Sequence, residues 1–180
     1  AGLEAACTAA EVGCNTFLLE KGSELGGLAS LISKIPAKNR LADFPHYLMH
    51  RAEQLENLYI FTNTEGTPEN IRKFHPNIIV SSTGSAPLLP PIAGLKDRID
   101  NEDYNIYSIL GMINHINDFP KDLEGKKVVV VGGGAVGLDV VEFFADRNAD
   151  ISIVEMMDQI GRDLDPVSKN DTKAMMKKHN

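Results

Sequence analysis

Residues 128–137 read Val-Val-Val-Val-Gly-Gly-Gly-Ala-Val-Gly. The β-branched run predicts a buried strand, and the G-x-G-x-x-G spacing that follows predicts a tight turn into a helix. In such a turn Gly132 permits the sharp bend, Gly134 leaves room for a pyrophosphate, and Gly137 lets the helix pack closely on the sheet. The phosphates then face free amides at the positive end of the helix. The stretch therefore predicts a dinucleotide-binding turn.

The residues after the turn complete the pattern. A helix is expected through about Arg147, with Asn148 suited to a left-handed cap and a second strand over residues 150–155. Glu155 ends that strand, 23 positions after Gly132, where a carboxylate can accept hydrogen bonds from ribose hydroxyls. A glycine turn of some unrelated α/β sheet is the alternative, but it does not require the acid. The predicted nucleotide contacts are Gly132, Gly133, Gly134, Ala135, Val136, Gly137 and Glu155.

Glu155 also bears on the choice of nicotinamide cofactor. A 2′-phosphate on the ribose would meet its charge at close range, and Met156 and Met157 supply no compensating cation. NADH is therefore expected rather than NADPH. Arg162 is the nearby basic residue that would reverse this preference if it folded back.

Composition limits the possible functions. The chain has 180 residues, 43% of them apolar, and a net charge of −7, which fits one large or two small globular domains. No basic stripe of the kind that binds nucleic acid is present. No apolar run approaches the roughly 20 residues of a membrane helix, and the first residues do not resemble a signal peptide. We expect a soluble cytoplasmic protein, with self-association possible.

The start of the chain repeats the later motif from its third glycine onward. Residues 2–12 predict a helix and residues 15–20 a strand that ends in an acid. Gly2 precedes Glu20 by 18 positions, and Gly137 precedes Glu155 by the same 18. We therefore expect Ala1 to lie inside a first G-x-G-x-x-G motif whose opening strand comes earlier. Residues 166–180 predict a helix that leaves the second sheet unfinished.

Between the two repeats the pattern is less regular. Residues 25–27 predict a turn, residues 40–56 a helix, and residues 58–62 and 77–82 two short strands. Residues 82–94, with several prolines and glycines, predict a rigid irregular connector. A short apolar helix is expected over residues 107–115.

Two ribose-acid motifs, the Leu25-Gly26-Gly27 turn and the Ser82-Thr83-Gly84 connector together resemble the two-dinucleotide-binding-domain flavoproteins. Residues 35–41, Ile-Pro-Ala-Lys-Asn-Arg-Leu, and residues 154–163 are more closely similar to the C-terminal flavin reductase part of the enoate reductase, 2,4-dienoyl-CoA reductase and trimethylamine dehydrogenase group. The resemblance implies an α/β fold of Rossmann-like, doubly wound parallel sheets. It further implies a partial FAD-binding domain over residues 1–119, followed by the start of an NAD(P)-binding domain over residues 120–180.

The resemblance also implies where FAD would bind. Gly2 corresponds to the third glycine of the FAD motif, Glu20 to its ribose acid, and Thr83 with Gly84 to the crossover between domains. Lys38 would lie near the flavin or its pyrophosphate. The implied FAD contacts are Gly2, Glu20, Lys21, Gly26, Gly27, Arg40, Thr83 and Gly84.

The function that the resemblance implies is hydride transfer from NADH to FAD. Members of the group carry FMN and a [4Fe–4S] cluster in an N-terminal barrel, which would be this chain's partner within the same protein and would pass electrons to a 2-enoate or enoyl-CoA double bond. Two alternatives remain: a non-catalytic NAD(H)-binding or redox-sensing module, and a reductase component for a protein electron acceptor. A thioredoxin-reductase-like activity is disfavoured, because no C-x-x-C pair is present.

Other polar groups have structural interpretations. Cys7 and Cys14 lie too far apart along a helix for a disulfide and are expected to be small buried packing residues. His46, His50 and Glu53 share a helix face, which is interpreted as solvated rather than metal-binding. Asp139 and Glu142 lie near the start of the predicted nucleotide helix, where the helix dipole favours acidic residues, and they are not expected to be catalytic. Asp163 and Asp165 could equally begin the last helix.

Overall fold

The computed structural model describes residues 1–179, except for the side chains of Lys173, Lys178 and His179. The chain forms two compact units, Ala1–Leu88 and a second unit that begins at Leu89. The domain boundary expected between residues 119 and 120 stays a prediction.

The first unit contains one parallel pair of strands among short helices. In chain order its elements are α1 (Gly2–Glu11), β1 (Thr16–Leu19), α2 (Gly27–Ile32), a 3₁₀ helix (Pro36–Ala42), α3 (Asp43–Glu53), β2 (Leu58–Phe61) and α4 (Pro68–Arg72). β1 pairs with β2 in register from Thr16 opposite Leu58 to Leu19 opposite Phe61.

Small residues on α1 allow the core of this unit to close. Ala6, Cys7 and Ala10 are buried with Ala52 of α3 and Leu58 of β2. The thiol of Cys7 donates to the carbonyl oxygen of Leu48 at 3.7 Å, and burial raises the pKa of this thiol, so it stays protonated and acts as a packing residue.

Cys14 does not share this environment. It is a free, exposed thiol, so the expectation that both cysteines are buried is wrong at this position. α1 has already ended at Glu11, and Gly13 turns the chain with a φ of 94°. Cys14 therefore lies outside the helix face that packs on the sheet.

The second unit contains the predicted nucleotide motif. Its elements are α5 (Ile109–Asn114), β3 (Lys127–Val131), α6 (Ala135–Ala145), β4 (Asp150–Val154) and α7 (Pro166–His179). β3 pairs in parallel with β4 from Lys127 opposite Asp150 to Val131 opposite Val154. Asn148 adopts the predicted left-handed conformation, with a φ of 63°. Parallel strands crossed by helices in both units confirm the predicted Rossmann-like α/β class.

The buried residues of the second unit include members of α5, α6 and β3. Ile113 is fully buried, and Val130 and Leu138 pack as the buried faces of the strand and the helix. Phe143 and Phe144 meet Phe119 edge to face, with ring centroids 6.0 and 5.2 Å away. Among the described residues, no helix combines the length and apolar character needed to cross a membrane.

The strand predicted over residues 77–82 is absent, and this part of the chain has no regular structure. The side chains of Ile78, Ile79 and Val80 are 81%, 63% and 66% exposed. A β-branched run forms a strand only where a neighbouring strand accepts its hydrogen bonds, and the paired strands of this unit are β1 and β2.

Arg51 joins α3 to α1 through two carboxylates. Its Nη1 donates to both oxygens of Glu4 at 2.9 and 3.0 Å, and its Nε and Nη2 donate to the two oxygens of Glu11 at 2.6 Å each. The Arg51 side chain is 20% exposed. Hydrogen bonding to Arg51 lowers the pKa of the Glu11 carboxyl. A planar guanidinium that holds two carboxylates restrains the two helices against each other.

Arg51→Met should lower the melting temperature at neutral pH. Because the pKa of Glu11 is lowered in the folded protein, its contribution is complete above the pKa of an unfolded glutamate, about 4.3, and is lost as the pH falls through the lower folded value. The difference in melting temperature should therefore shrink below about pH 4. Thermal unfolding followed by circular dichroism from neutral to acidic pH measures this. Arg72→Met, which removes an exposed arginine of α4, is the control. A difference that stays constant with pH contradicts the assignment.

Candidate functional site

The turn after β3 has the geometry that the glycine pattern predicts. β3 ends at Val131, and Gly132 reverses the chain with a φ of 105°, a conformation that glycine adopts without strain. The Gly132 amide donates to the Val154 carbonyl at 2.8 Å, which extends the β3–β4 ladder by one bond. α6 then begins at Ala135 with Gly134 as its N-cap. The first amides of α6 therefore lie at the carboxyl end of the parallel strands, where α/β proteins bind ligands.

Gly137 is required by the close approach of α6 to this turn. A Cβ atom added at Gly137 would overlap the carbonyl oxygen of Gly132, and it would come within 3.5 Å of Val130. The atom that it meets is backbone and cannot rotate away. The third glycine of the motif therefore fixes the distance between helix and strand, as predicted.

Glu155 is anchored to the same turn. Its Oε2 accepts from the Gly133 amide at 2.6 Å, and its Oε1 accepts from the Met157 amide at 2.7 Å. Hydrogen bonds from Met157 and Gly133 lower the pKa of the Glu155 carboxyl, so it is ionised at neutral pH. The predicted ribose acid thus lies beside the predicted phosphate turn, with a fixed orientation.

Asp163 also belongs to this site, although the sequence suggested it only as a possible start of the last helix. Its carboxylate accepts from the Ala135 amide at 3.1 and 3.2 Å, so it caps the N-terminus of α6. Asp165 begins α7 instead, accepting from the amides of Val167 and Ser168 at 2.9 and 3.2 Å. The two acids, interchangeable in the sequence, cap different helices. No local pattern marks Asp163, because its partner lies 28 positions earlier.

These groups surround an open cavity of about 460 Å³. Its walls are Gly133, Gly134, Glu155, Met157, Gln159, Arg162 and Asp163. The space beside Gly134 is where a side chain would otherwise point: an added Cβ would come within 3.1 Å of the Asp163 carboxylate. A cavity with helix amides, a ribose-type carboxylate and one arginine fits a dinucleotide.

The first unit repeats part of this arrangement at Glu20. Its Oε1 accepts from the Gly22 amide at 2.7 Å, two positions on, as Glu155 does from Met157. The backbone of Glu20 donates to Phe61 at 2.9 Å, which places the acid at the end of the β1–β2 pair. Lys21, a predicted FAD contact, lies beside it and pairs with Glu65 at 3.0 Å.

The start of α1 lies close to the predicted crossover. A Cβ added at Gly2 would be 3.4 Å from the Cβ of Ser82. Thr83 and Gly84 follow directly, both exposed and without regular structure, and Gly84 has a φ of 75°. The structure therefore brings the segment that leads into the crossover to the helix expected to bind the FAD pyrophosphate.

The remaining predicted FAD contacts lie around α2. Gly26 and Gly27 have φ angles of 106° and 58°, and a Cβ added at Gly26 would overlap the hydroxyl of Ser30. The predicted turn is present, followed by a helix that the sequence did not indicate. Arg40 is 93% exposed, with its Nε 3.7 Å from Asp43, whereas Lys38 is half-buried.

The histidines of α3 face solvent. His46 and His50 are exposed, and Nδ1 of His50 lies 3.5 Å from Glu53, which agrees with a solvated helix face. Within the part of the chain that the structure describes, no three His, Cys, Asp or Glu side chains are placed to hold a metal ion. Asp139 and Glu142 lie half-buried on α6.

The parallel sheets, the glycine turn and the anchored acid define a dinucleotide-binding α/β protein. Residues 47–180 match the pyridine nucleotide-disulphide oxidoreductase family. The chain belongs to this family, which confirms the predicted flavoprotein class with FAD and NAD(H) as cofactors.

Individual relatives agree with this assignment. The chain is 31% identical over 171 residues to an NADH oxidase of Thermoanaerobacter brockii, covering 95% of this chain and 25% of that protein. It is 28% identical over 166 residues to a cinnamate reductase of Clostridium sporogenes, covering 89% and 22%. A solved 2-naphthoyl-CoA reductase in complex with 2-naphthoyl-CoA superposes with a TM-score of 0.78 at 25% identity, covering 99% of this chain and 25% of that one. The chain thus spans about a quarter of the length of these relatives.

Gly137→Ala should destabilise the second unit by about 1–3 kcal/mol or more, since an added methyl must displace backbone rather than a side chain. Urea unfolding of the variant measures the loss. Gly66→Ala is the matched control, because a Cβ there meets nothing within 4 Å. Equal stability of the two variants would show that α6 does not approach the turn this closely.

Proposed function

We propose that this chain is the nucleotide-binding part of a longer NADH-dependent flavoprotein reductase. The observation that carries the proposal is the anchored Glu155 beside the amides of α6. This arrangement offers a ribose-binding acid and a phosphate-binding helix end within one cavity.

The residues of this site bind and orient the cofactor rather than react with it. The amides at the start of α6 would hold the pyrophosphate, and the free lone pairs of Glu155 would accept from the adenosine ribose. When bound, the nicotinamide and flavin supply the redox chemistry, a two-electron hydride transfer. The contribution of this chain is to hold the nucleotide in place for that transfer.

NADH is the proposed nicotinamide cofactor. The hydrogen bonds from Gly133 and Met157 keep Glu155 ionised, so a ribose 2′-phosphate would meet a fixed negative charge. Arg162 lines the same cavity, and its positive charge would favour a 2′-phosphate. Its side chain is exposed, however, whereas the Glu155 carboxylate is held by two backbone hydrogen bonds. The fixed charge therefore decides the preference.

We propose FAD for the first unit, with its ribose at Glu20 and its pyrophosphate at the start of α1. The hydrogen bond from the Gly22 amide to Glu20 supports this, since it repeats the geometry of Glu155. The glycines at positions 26 and 27 would allow the chain to pass close to the flavin, with Arg40 and the Thr83-Gly84 connector nearby.

The proposed final acceptor is the activated carbon–carbon double bond of a 2-enoate or an enoyl-CoA. The similarity to a cinnamate reductase and to a 2-naphthoyl-CoA reductase supports this acceptor class. Electrons would reach it through FMN and a [4Fe–4S] cluster in an N-terminal barrel of the same protein. A cytoplasmic location and self-association remain predictions from composition.

The test is anaerobic spectroscopy of the full-length protein. Flavin absorbance should be present, NADH should bleach it, and cinnamate, as the probe 2-enoate, should restore it. NADH binding without flavin would favour the NAD(H)-sensing alternative instead. If NADH bleaches the flavin and cinnamate does not restore its absorbance, the NADH-dependent reductase activity would still hold, but this acceptor class would be rejected.

Glu155→Ala should weaken NADH binding by about tenfold, the effect of losing hydrogen bonds to a charged acceptor. NADPH binding should fall less, so that the preference between the two narrows. Calorimetric titrations with both nucleotides measure the change. Asp158→Ala, which removes an exposed acid of the same loop that does not line the cavity, should leave both affinities close to wild type. An unchanged ratio in Glu155→Ala would reject the ribose role.

A further inference from the structure

The start of α6 already has an anionic partner from this chain. The carboxylate of Asp163 lies 3.1 and 3.2 Å from the Ala135 amide, with one distance for each oxygen. It also lies against Gly134, where an added Cβ would be 3.1 Å from Oδ2 and 3.3 Å from Oδ1. In the glycine motif this is the space that a pyrophosphate requires. The Asp163 side chain therefore fills the position predicted for the phosphates and accepts from the Ala135 amide, which was predicted to donate to them.

The backbone around Asp163 is tied to the turn. The Gly161 amide donates to the carbonyl oxygen of Gly133 at 2.7 Å, and a Cβ added at Gly133 would come within 3.2 Å of Ile160. These contacts hold the loop over the glycines. Asp163 itself is exposed, so rotation of its side chain releases the Ala135 amide while the Gly161 anchor remains.

We propose that Asp163 competes with the pyrophosphate of the nucleotide for the start of α6 and must swing away when the nucleotide binds. A pyrophosphate at this position would have to share the Ala135 amide with the Asp163 carboxylate, and the two negative charges would repel each other in contact. The apparent association constant is then the intrinsic constant multiplied by the fraction of molecules in which Asp163 has withdrawn.

The neighbouring charges support competition between Asp163 and the pyrophosphate. Glu155 already places one negative charge in the cavity, and Asp163 adds a second. Arg162 is the cation among the residues that line the cavity, and it precedes Asp163 directly. A bound pyrophosphate would be more favourable once the second carboxylate has moved out and Arg162 faces the phosphates.

This inference rests on the proposed function, so its test separates the two. Asp163→Ala should tighten NADH binding to the full-length protein by about three- to tenfold, the factor that corresponds to the free energy of one helix-capping interaction. ADP-ribose, which has the pyrophosphate but no nicotinamide, should show the same gain. Asp158→Asn is the control for removing one negative charge from the loop and should change affinity little.

Measuring NADH affinity at high salt distinguishes the direct contact between Asp163 and the Ala135 amide from a general repulsion between Asp163 and the nucleotide. The gain in Asp163→Ala should persist at about 0.5 M salt, where interactions between exposed charges beyond a few ångströms are screened. A gain that disappears at high salt, or equals that of Asp158→Asn, would overturn the proposal. Weaker NADH binding in Asp163→Ala would also overturn it and make Asp163 a nucleotide ligand.

Hydrogen exchange gives a readout independent of affinity. Followed by mass spectrometry without nucleotide, the peptide that contains Ala135 should exchange faster in Asp163→Ala than in the wild type. With saturating NADH the two should become equal, because the pyrophosphate then protects the amide in both. Identical exchange without nucleotide would show that the carboxylate does not hold this donor. Failure of every variant and of the wild type to bind either nicotinamide nucleotide would instead reject the proposed function.

Discussion

The register of β3 on β4 is the constraint on which the proposed nucleotide site depends. With Val131 opposite Val154, the residues that follow each strand, Gly132 and Glu155, emerge at the same edge of the sheet. A shift by one residue would turn the Glu155 side chain to the other face. The bond from the Gly133 amide to Glu155 and the start of α6 both follow from this alignment. The strand pairing therefore assembles the site, and the glycines make the space within it.

Much of this could be predicted because the nucleotide motif is local. The strand, the turn, the left-handed Asn148 and the acid after β4 are each set by residues close to them in sequence. The requirement for Gly137 is equally local, since α6 can pack on the Gly132 carbonyl only without a Cβ.

The parts that could not be predicted depend on contacts distant in sequence. Asp163 and Asp165 have the same chemistry and almost the same position, and only the path of the loop over Gly133 assigns them to different helices. Residues 77–82 have the composition of a strand, but composition does not supply a hydrogen-bonding neighbour. Cys14 has the side chain of a core residue but follows the end of α1. In each case the tertiary environment decides against the local preference.

The carboxylate at the start of α6 also changes what ligand binding means for this helix. An uncapped helix end would gain its first anion when a nucleotide binds, whereas α6, on this proposal, would exchange the Asp163 carboxylate for the pyrophosphate. On this proposal, the N-terminus of α6 would have an anionic partner both before and after the nucleotide binds. Selectivity among anions would then depend on how many contacts each ligand makes. A small anion would replace only the hydrogen bond that Asp163 already makes, whereas a pyrophosphate attached to a ribose would add contacts between the ribose hydroxyls and Glu155. On this proposal, the glycine turn would discriminate between ligands before any contact with a base or a nicotinamide ring is made.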